Sequence, residues 1–162
     1  MGFSIRRTLA PVLVALGMLS LSLRAQQPDS TTIAVRQLVE RARRLADRGD
    51  TLGHRQALAV LDSAERIARI DARSLGASSR VPLVGGIWRE RAIIGVAYAE
   101  QLLAGARATD TCPDVRRAEE VVKLADAAMP SDDLSNSPRL LHAAVGLAAL
   151  KDSLASLRRT CL

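Results

Sequence analysis

Residues 87–106 read IWRERAIIGVAYAEQLLAGA, and this stretch decides the fold class. Its apolar residues occupy more than one face of a helix: Ala92, Ile93, Ile94, Val96, Ala97, Ala99, Leu102 and Leu103. A helix that is apolar nearly all round is buried, either in a protein core or in a membrane. The charged residues Arg91 and Glu100 bound an uncharged stretch that is too short to span a bilayer. We therefore predict a central helix that other helices of the same domain cover.

Four further segments show the 3.6-residue apolar period of amphipathic helices. They cover about residues 31–48, 52–70, 113–129 and 138–159. Most connections between the helices are short, which makes neighbouring helices antiparallel. The one segment with some strand character, 81–84, is interrupted by Pro82. We predict an all-α fold of about five antiparallel helices.

The ends of these helices carry recognisable signals. Gly49 is a C-terminal stop for the first helix. Ser137 caps the fifth helix, and Pro138 takes its first position. The stripe of the fifth helix that we predict to be buried contains Leu140, Leu141, Ala144, Leu147, Ala148, Leu154 and Leu157.

The longest connection is the stretch 71–86, which is rich in glycine and serine and contains Pro82. Loops of that length inside a compact domain are often functional or mobile. We consider a functional loop here, and the alternative is that a flanking helix extends into it.

The first 25 residues predict a cleavable secretory signal peptide. Arg6 and Arg7 precede an apolar run from Leu9 to Leu23, and Ala25 is a small residue at the expected cleavage point. The alternative is an uncleaved anchor helix, but the run is shorter than the ~20 residues that span a bilayer. No cysteine follows the run, so we expect no lipoprotein anchor. The protein is therefore expected in the periplasm or outside the cell.

The mature chain, residues 26–162, has a size that suits one helical domain. The whole chain has 23 Lys and Arg against 17 Asp and Glu, a net charge of +6. Three arginines and no acidic residue lie in the signal peptide, so the mature chain carries only +3. Its aromatic residues are Trp88 and Tyr98. We expect no nucleic-acid binding, and membrane contact only through the signal peptide during export.

The two cysteines of an exported chain predict a structural disulfide, Cys112–Cys161. They lie at the start of the fourth helix and at the end of the fifth, about equally far from the turn near 133–136. An antiparallel hairpin therefore brings both sulfur atoms to the same end. The alternative, a redox or metal pair, lacks a C-x-x-C motif and a histidine at ligand spacing.

Residues typical of acid–base chemistry are sparse. The two histidines are His54, which we expect to be exposed, and His142, which we interpret as a packing or surface residue. The chain contains no H-E-x-x-H, no phosphate-binding glycine loop and no G-x-S-x-G. We predict no enzymatic activity, no metal site and no cofactor.

The third and fourth helices carry spacings that resemble the tetratricopeptide repeat (TPR). In the third helix, Ile94-Gly95-x-x-Tyr98 matches the Leu-Gly-x-x-Tyr element of the first helix of the repeat. The fourth helix matches the second helix of the repeat and its terminal proline at Ala118, Val122, Ala125 and Pro130. In the fifth helix, Val145-Gly146 resembles the opening of a further repeat.

The resemblance implies two degenerate helix pairs followed by a capping helix, although Arg91 stands at the tryptophan position of the family. A plain antiparallel bundle is the alternative fold. TPR proteins bind a peptide or partner protein on a concave face, formed mainly by the first helix of each pair. The candidate partner-binding residues are Arg41, Arg44, Trp88, Glu90 and Arg91.

Together these features lead us to expect an exported protein-interaction module of the bacterial cell envelope. The alternative function is a helical bundle that binds a small apolar ligand or a lipid, with residues 81–88 as the entry. The third, fourth and fifth helices of such a bundle would enclose an apolar cavity. A repeat array would have an open groove and a filled core.

Overall fold

The computed structural model describes residues 30–70, 77–109, 112–130 and 137–161. This part of the chain forms five α-helices and contains no β-strand. The helices are α1 (Ser30–Ala46), α2 (Thr51–Ile70), α3 (Ala77–Thr109), α4 (Cys112–Ala128) and α5 (Pro138–Cys161). The predicted all-α fold is confirmed. The predicted signal peptide, residues 1–25, lies outside the described residues.

A tight turn joins α1 to α2. Gly49 has a φ of 69°, a left-handed conformation that glycine adopts without steric cost, and its N–H donates to the Ala46 carbonyl at 2.9 Å. The Asp50 carboxylate accepts a hydrogen bond from the Gly53 N–H and caps α2. A Cβ atom at Gly53 would overlap the Leu45 carbonyl oxygen. Glycine is therefore needed where the end of α1 and the start of α2 approach most closely.

The predicted loop over residues 71–86 is wrong for most of its length, because α3 starts within it. The helix begins at Ala77, so most of that stretch is helical, as the alternative interpretation has it. Pro82 is the sixth residue of the helix, where it removes a single backbone hydrogen bond. Leu83 and Ile87 pack into the apolar cluster shared with α2, and this burial offsets the loss. The rest of the connection, 71–76, lies outside the described residues.

α3 is the central helix, as predicted, because it contributes to both large apolar clusters. One cluster joins α1, α2 and α3, and its buried members are Val35, Ala42, Ala57, Leu61, Ala64, Ala68, Ile87 and Ile94. The other joins α3, α4 and α5, and its buried members include Val96, Tyr98, Leu102, Leu103, Val115, Val122, Leu147 and Leu154. Each face of α3 thus supports a different set of neighbours.

α5 packs a regular seam against α3 and α4. The residues of this seam recur at alternating steps of three and four: Leu140, Ala143, Leu147, Leu150, Leu154, Leu157 and Cys161. Two residues of the predicted stripe, Leu141 and Ala148, are exposed, and the seam uses Ala143 and Leu150 instead. The prediction was wrong there because α5 is apolar on both faces, so its apolar period does not distinguish them.

By length and composition alone, one helix of the described residues would suit a membrane span. This segment is Pro138–Arg159, with a mean hydropathy of 1.3 over its most apolar window. Its seam contacts the core of α3 and α4, and the helix is covalently joined to α4. We therefore interpret α5 as a helix of the domain.

The predicted disulfide is present. Cys112 at the start of α4 is bonded to Cys161 at the end of α5, with their Cα atoms 5.5 Å apart. Two ion pairs cross the same helix pair: Lys151 Nζ lies 2.7 Å from an Asp126 carboxylate oxygen, and Arg158 pairs with Glu119. The bond and the ion pairs hold α5 against α4 along its C-terminal half.

Candidate functional site

Glu90 on α3 lies between arginines of α1 and α5. Arg43 Nη2 donates to Glu90 Oε1 at 2.6 Å, and Arg139 Nη2 lies 3.9 Å from Glu90 Oε2. Glu90 is only 5% exposed, although carboxylates are seldom buried. We call Arg43, Glu90 and Arg139 the Glu90 junction. It brings together three helices that α2 and α4 separate in the sequence.

The buried side chains of the Glu90 junction are incompletely hydrogen-bonded. The hydrogen bond to Glu90 raises the pKa of Arg43 above its ordinary value, while burial lowers it by less. Within the described part of the chain, the buried atoms Glu90 Oε2 and Arg43 Nε have no hydrogen-bond partner. Buried ion pairs add little net stability, but removing one partner is costly. The junction is therefore expected to add little net stability as a whole, whereas loss of one of its partners is expected to be costly.

A second set of ion pairs lies between α2 and α3. Arg91 donates to Asp62 and to Glu65, at 2.6 Å in each case, and Arg69 donates to the other oxygen of Glu65. Burial raises the pKa of Glu65, but the hydrogen bonds from Arg69 and Arg91 outweigh it, so the pKa lies below its ordinary value of 4.5. Arg91 thus attaches α3 to α2 through two carboxylates.

The contacts of Glu65 are expected to make stability depend on pH. A carboxylate whose pKa is lower in the folded state stabilises the protein fully at pH values above the ordinary pKa of 4.5. This contribution is lost as the pH falls through the lower pKa of the folded state. Urea unfolding of the wild type and of Glu65→Gln from neutral pH downwards measures it. The difference in unfolding free energy should shrink in acid, whereas Glu120→Gln, at an exposed position on α4, should show no such trend. A difference that stays constant would contradict this role of Glu65.

The predicted partner-binding residues separate into two groups. Glu90 and Arg91 are engaged in the ion pairs between helices described above. Arg41 and Arg44 are exposed on α1, and Trp88 is 43% exposed on α3. We reassign Glu90 and Arg91 to the arrangement of the helices. Partner contact stays a prediction for the three exposed residues.

Most of the repeat-like residues lie where α3 packs against α4, whereas Ile94 belongs to the cluster that joins α3 to α1 and α2. Gly95 faces α4, because a Cβ atom there would lie 3.0 Å from the Cβ of Ala125. The other matched residues of the two helices are buried, apart from Pro130, which follows α4: Ile94, Tyr98, Ala118, Val122 and Ala125. Gly146 behaves differently, because a Cβ atom there would lie 3.1 Å from Val96 Cγ1 on α3. The second glycine therefore faces α3.

Gly95→Val is expected to separate α3 from α4. The added side chain would overlap Ala125, and overpacking of this kind typically destabilises a core by about 1–3 kcal/mol. Gly105→Val in the same helix is the matched control, since an added Cβ there meets nothing within 4 Å. Thermal unfolding of the two variants compares them, and equal losses would mean that helix propensity, not the close approach, explains the effect.

His54 corrects the expectation of an exposed histidine, because it is only 5% exposed. Its Nδ1 lies 2.9 Å from the Asp50 carbonyl oxygen and 3.0 Å from Gln101 Oε1. Both neighbours are acceptors, so Nδ1 carries the hydrogen. The side chain amide of Gln101 donates in turn to the Gly49 carbonyl. This network attaches the α1–α2 turn to α3, and no motif in the sequence indicates it.

The polar side chains considered as candidates for chemistry are mostly engaged in contacts between helices. Among the described residues, no three His, Cys, Asp or Glu side chains are grouped so as to hold a metal ion. The carboxylates of Glu90 and Glu65 are held by arginines, and His142 is exposed on α5. The ion pairs of Glu90 and Glu65 connect helices to one another.

A groove between α2, α3 and α4 bears on the ligand-binding alternative. Its volume is about 100 Å³, and its lining includes Leu58, Gly95, Val121, Leu124 and Ala125. Sites for small ligands commonly measure about 300–1,000 Å³. Two other concavities reach this range, about 510 Å³ on α4 and about 360 Å³ on α1, but both are shallow and open to solvent. Apolar side chains of the second large cluster occupy the interior between α3, α4 and α5, where that alternative expects a cavity.

Comparison with known proteins identifies no relative that would suggest a function for these contacts. No protein-family model, curated protein or solved structure matches the chain. Its function is therefore inferred from the contacts between the helices and from the residues that they leave exposed.

Proposed function

We propose that the protein is an exported, non-catalytic protein-interaction module of the cell envelope. It binds a partner protein or peptide on the face that α1, α3 and α5 form together. The Glu90 junction is the observation that carries the proposal, because one buried carboxylate contacts arginines of both flanking helices. In a TPR-like array the first helix of each pair lies next to the first helix of the following pair, and together they form the binding face.

The residues that contact the partner are proposed to be Arg41 and Arg44 on α1 and Trp88 on α3. All three are exposed, and arginine and tryptophan are enriched where proteins bind one another. Arginine also pairs with carboxylates in a fixed geometry, which suits an acidic peptide.

Export to the periplasm or beyond remains part of the proposal. The disulfide is compatible with an oxidising compartment, because such bonds are rare in the reducing cytosol. Intact-mass measurement of the protein isolated from the periplasm tests the predicted cleavage. A mature chain starting at Gln26 is expected, and a chain that retains residues 1–25 would contradict it.

A charge reversal on α1 tests the binding face. We expect Arg41→Glu with Arg44→Glu to abolish the recovery of a protein partner from periplasmic extract, because two cations of the face become anions. Arg55→Glu with Arg66→Glu is the matched control, since it reverses two exposed arginines on α2. Quantitative mass spectrometry of the bound fraction compares the variants. Equal recovery with both pairs would contradict the proposed face, and a co-purifying lipid without any protein would favour the ligand-binding alternative.

A further inference from the structure

One side of α3 continues beyond the Glu90 junction as the wall of a groove. The residues on this side recur at alternating steps of three and four, which places them along one face of the helix: Glu90, Ile93, Ala97, Glu100, Ala104 and Arg107. The last three residues of this row line a groove of about 230 Å³ between α3 and α5. The groove therefore continues the face that α1, α3 and α5 form at the Glu90 junction.

The α5 wall of the groove consists of small residues. Gly146, Ala149 and Ser153 line it at steps of three and four, and the buried Leu103 and Leu150 complete the lining. Because glycine and alanine have little or no side chain, a ligand can approach the α5 backbone closely there. The Ser153 hydroxyl can donate and accept hydrogen bonds at the same wall. This wall suits a peptide main chain, which carries donors and acceptors of its own.

Two opposite charges line the groove on its α3 side. The Glu100 carboxylate lies against α5, because a Cβ atom at Gly146 would lie 2.9 Å from Glu100 Oε1. Arg107 lies seven residues further along α3, and both charged side chains are exposed. Neither of them forms an ion pair or hydrogen bond with another described residue. The groove therefore presents an unpaired anion towards one end and an unpaired cation towards the other.

The spacing of these charges matches the two ends of a short peptide. Seven residues of α-helix rise about 10.5 Å, which separates Glu100 from Arg107 along the groove. Three extended residues span at most about 10–11 Å, with an ammonium at one end and a carboxylate at the other. A single amino acid carries both charges on one carbon atom, so it cannot reach both side chains at once.

We propose that this groove binds a peptide of about three residues with free ends. The ammonium pairs with Glu100, and the carboxylate accepts hydrogen bonds from Arg107, whose planar guanidinium matches its two oxygens. The main chain lies extended along the α5 wall. The inference rests on the proposed function, because the groove continues the proposed face, and it names the class of peptide bound. It uses none of the arginines of α1.

A peptide titration of the mature protein tests the proposal. The probe is trialanine, and the NMR shifts of ¹⁵N-labelled protein report both binding and its place. Saturable shifts are expected at Gly146, Ala149 and Ser153, with a Kd of about 0.1–1 mM for so small a ligand. N-acetyltrialanine and trialanine amide each lack one end charge and should bind about fivefold more weakly. Dialanine is too short to reach both charges and should also bind more weakly.

Two variants distinguish contact with the peptide ends from a general disturbance of the groove. Glu100→Gln should remove the preference for a free amino end and keep the preference for a free carboxyl end. Arg107→Gln should do the reverse. Glu120→Gln on α4 and Arg55→Gln on α2 change exposed residues outside the groove, so these matched controls should keep both preferences. A merely structural effect would weaken the binding of all these peptides alike.

Several results would overturn the proposal. These are no saturable shifts with trialanine, shifts confined to residues outside the groove, equal binding of dialanine and trialanine, or groove variants that keep both preferences. Arg41→Glu with Arg44→Glu should leave the titration unchanged while it abolishes recovery of the protein partner. Failure of the groove would appear only in the titration, and failure of the α1 arginines only in the recovery, so the two are separable.

Discussion

Replacing both cysteines, Cys112→Ser and Cys161→Ser, is expected to lower the free energy of unfolding by about 4 kcal/mol. The bond closes a loop with a sequence separation of 49 residues, and its loss returns that conformational freedom to the unfolded chain. Domains of this size are stable by only about 5–15 kcal/mol, so the loss is a large fraction of the total. Urea unfolding of the wild type and the double variant, both without reductant, measures it.

Two controls accompany the disulfide experiment. Reductant should destabilise the wild type to the level of the serine variant and leave that variant unchanged. Alkylation of freshly isolated protein without reductant, followed by mass measurement, reports the native state of the thiols. Two alkylated cysteines would refute the bond, and an unaltered unfolding midpoint in the variant would mean that the α4–α5 contacts suffice without it.

Arg43→Ala is expected to be the most damaging change at the Glu90 junction, with a loss of about 1–3 kcal/mol, because the Arg43 side chain is 38% exposed and water replaces part of its contact. Glu90 is buried, and its remaining cation, Arg139, lies 3.9 Å away without a hydrogen bond. The variant therefore leaves a carboxylate with little compensation inside the domain. Arg36→Ala removes an exposed arginine from the same helix and should change stability little. Thermal and urea unfolding compare the two.

A double-mutant cycle separates the ion pair from simple packing. Replacing both partners, Arg43→Met with Glu90→Met, should recover much of the loss, because no buried charge is left without a partner. Strictly additive losses would show that Arg43 acts through its aliphatic stem alone. The cycle also bears on the proposed binding face, since the junction is the contact that joins α1, α3 and α5.

The helices could be predicted well because their signals are local. Gly49 ends α1 through its own backbone conformation, and Ser137, the cap of α5, lies three residues before Leu140, from whose N–H it accepts a hydrogen bond. The nearly continuous apolar character of residues 92–103 requires cover on several sides, and α3 has it. The disulfide was predicted by counting residues outwards from one turn, because an antiparallel helix pair brings positions at equal distance from its turn to the same end.

The predictions were wrong where the local sequence allows two structures and burial against another helix selects one of them. Residues 77–86 contain proline and glycine, yet they are helical because Leu83 and Ile87 find an apolar cluster on α2. His54 is buried because Gln101 from α3 supplies an acceptor far away in the sequence. Leu141 and Leu140 are adjacent, and only the position of α3 and α4 makes one exposed and the other buried.

By itself, the sequence determined that the protein is all-α, where most of its helices end, which helix is central and which cysteines are bonded. Apolar periodicity and helix capping depend on residues within a few positions of one another, so the sequence shows them directly. Only the tertiary structure decided that Glu90 joins three helices, that Arg91 holds α2, and that Leu141 is exposed on α5. Those outcomes depend on which helices meet and at what register, and residues far apart in the chain determine both.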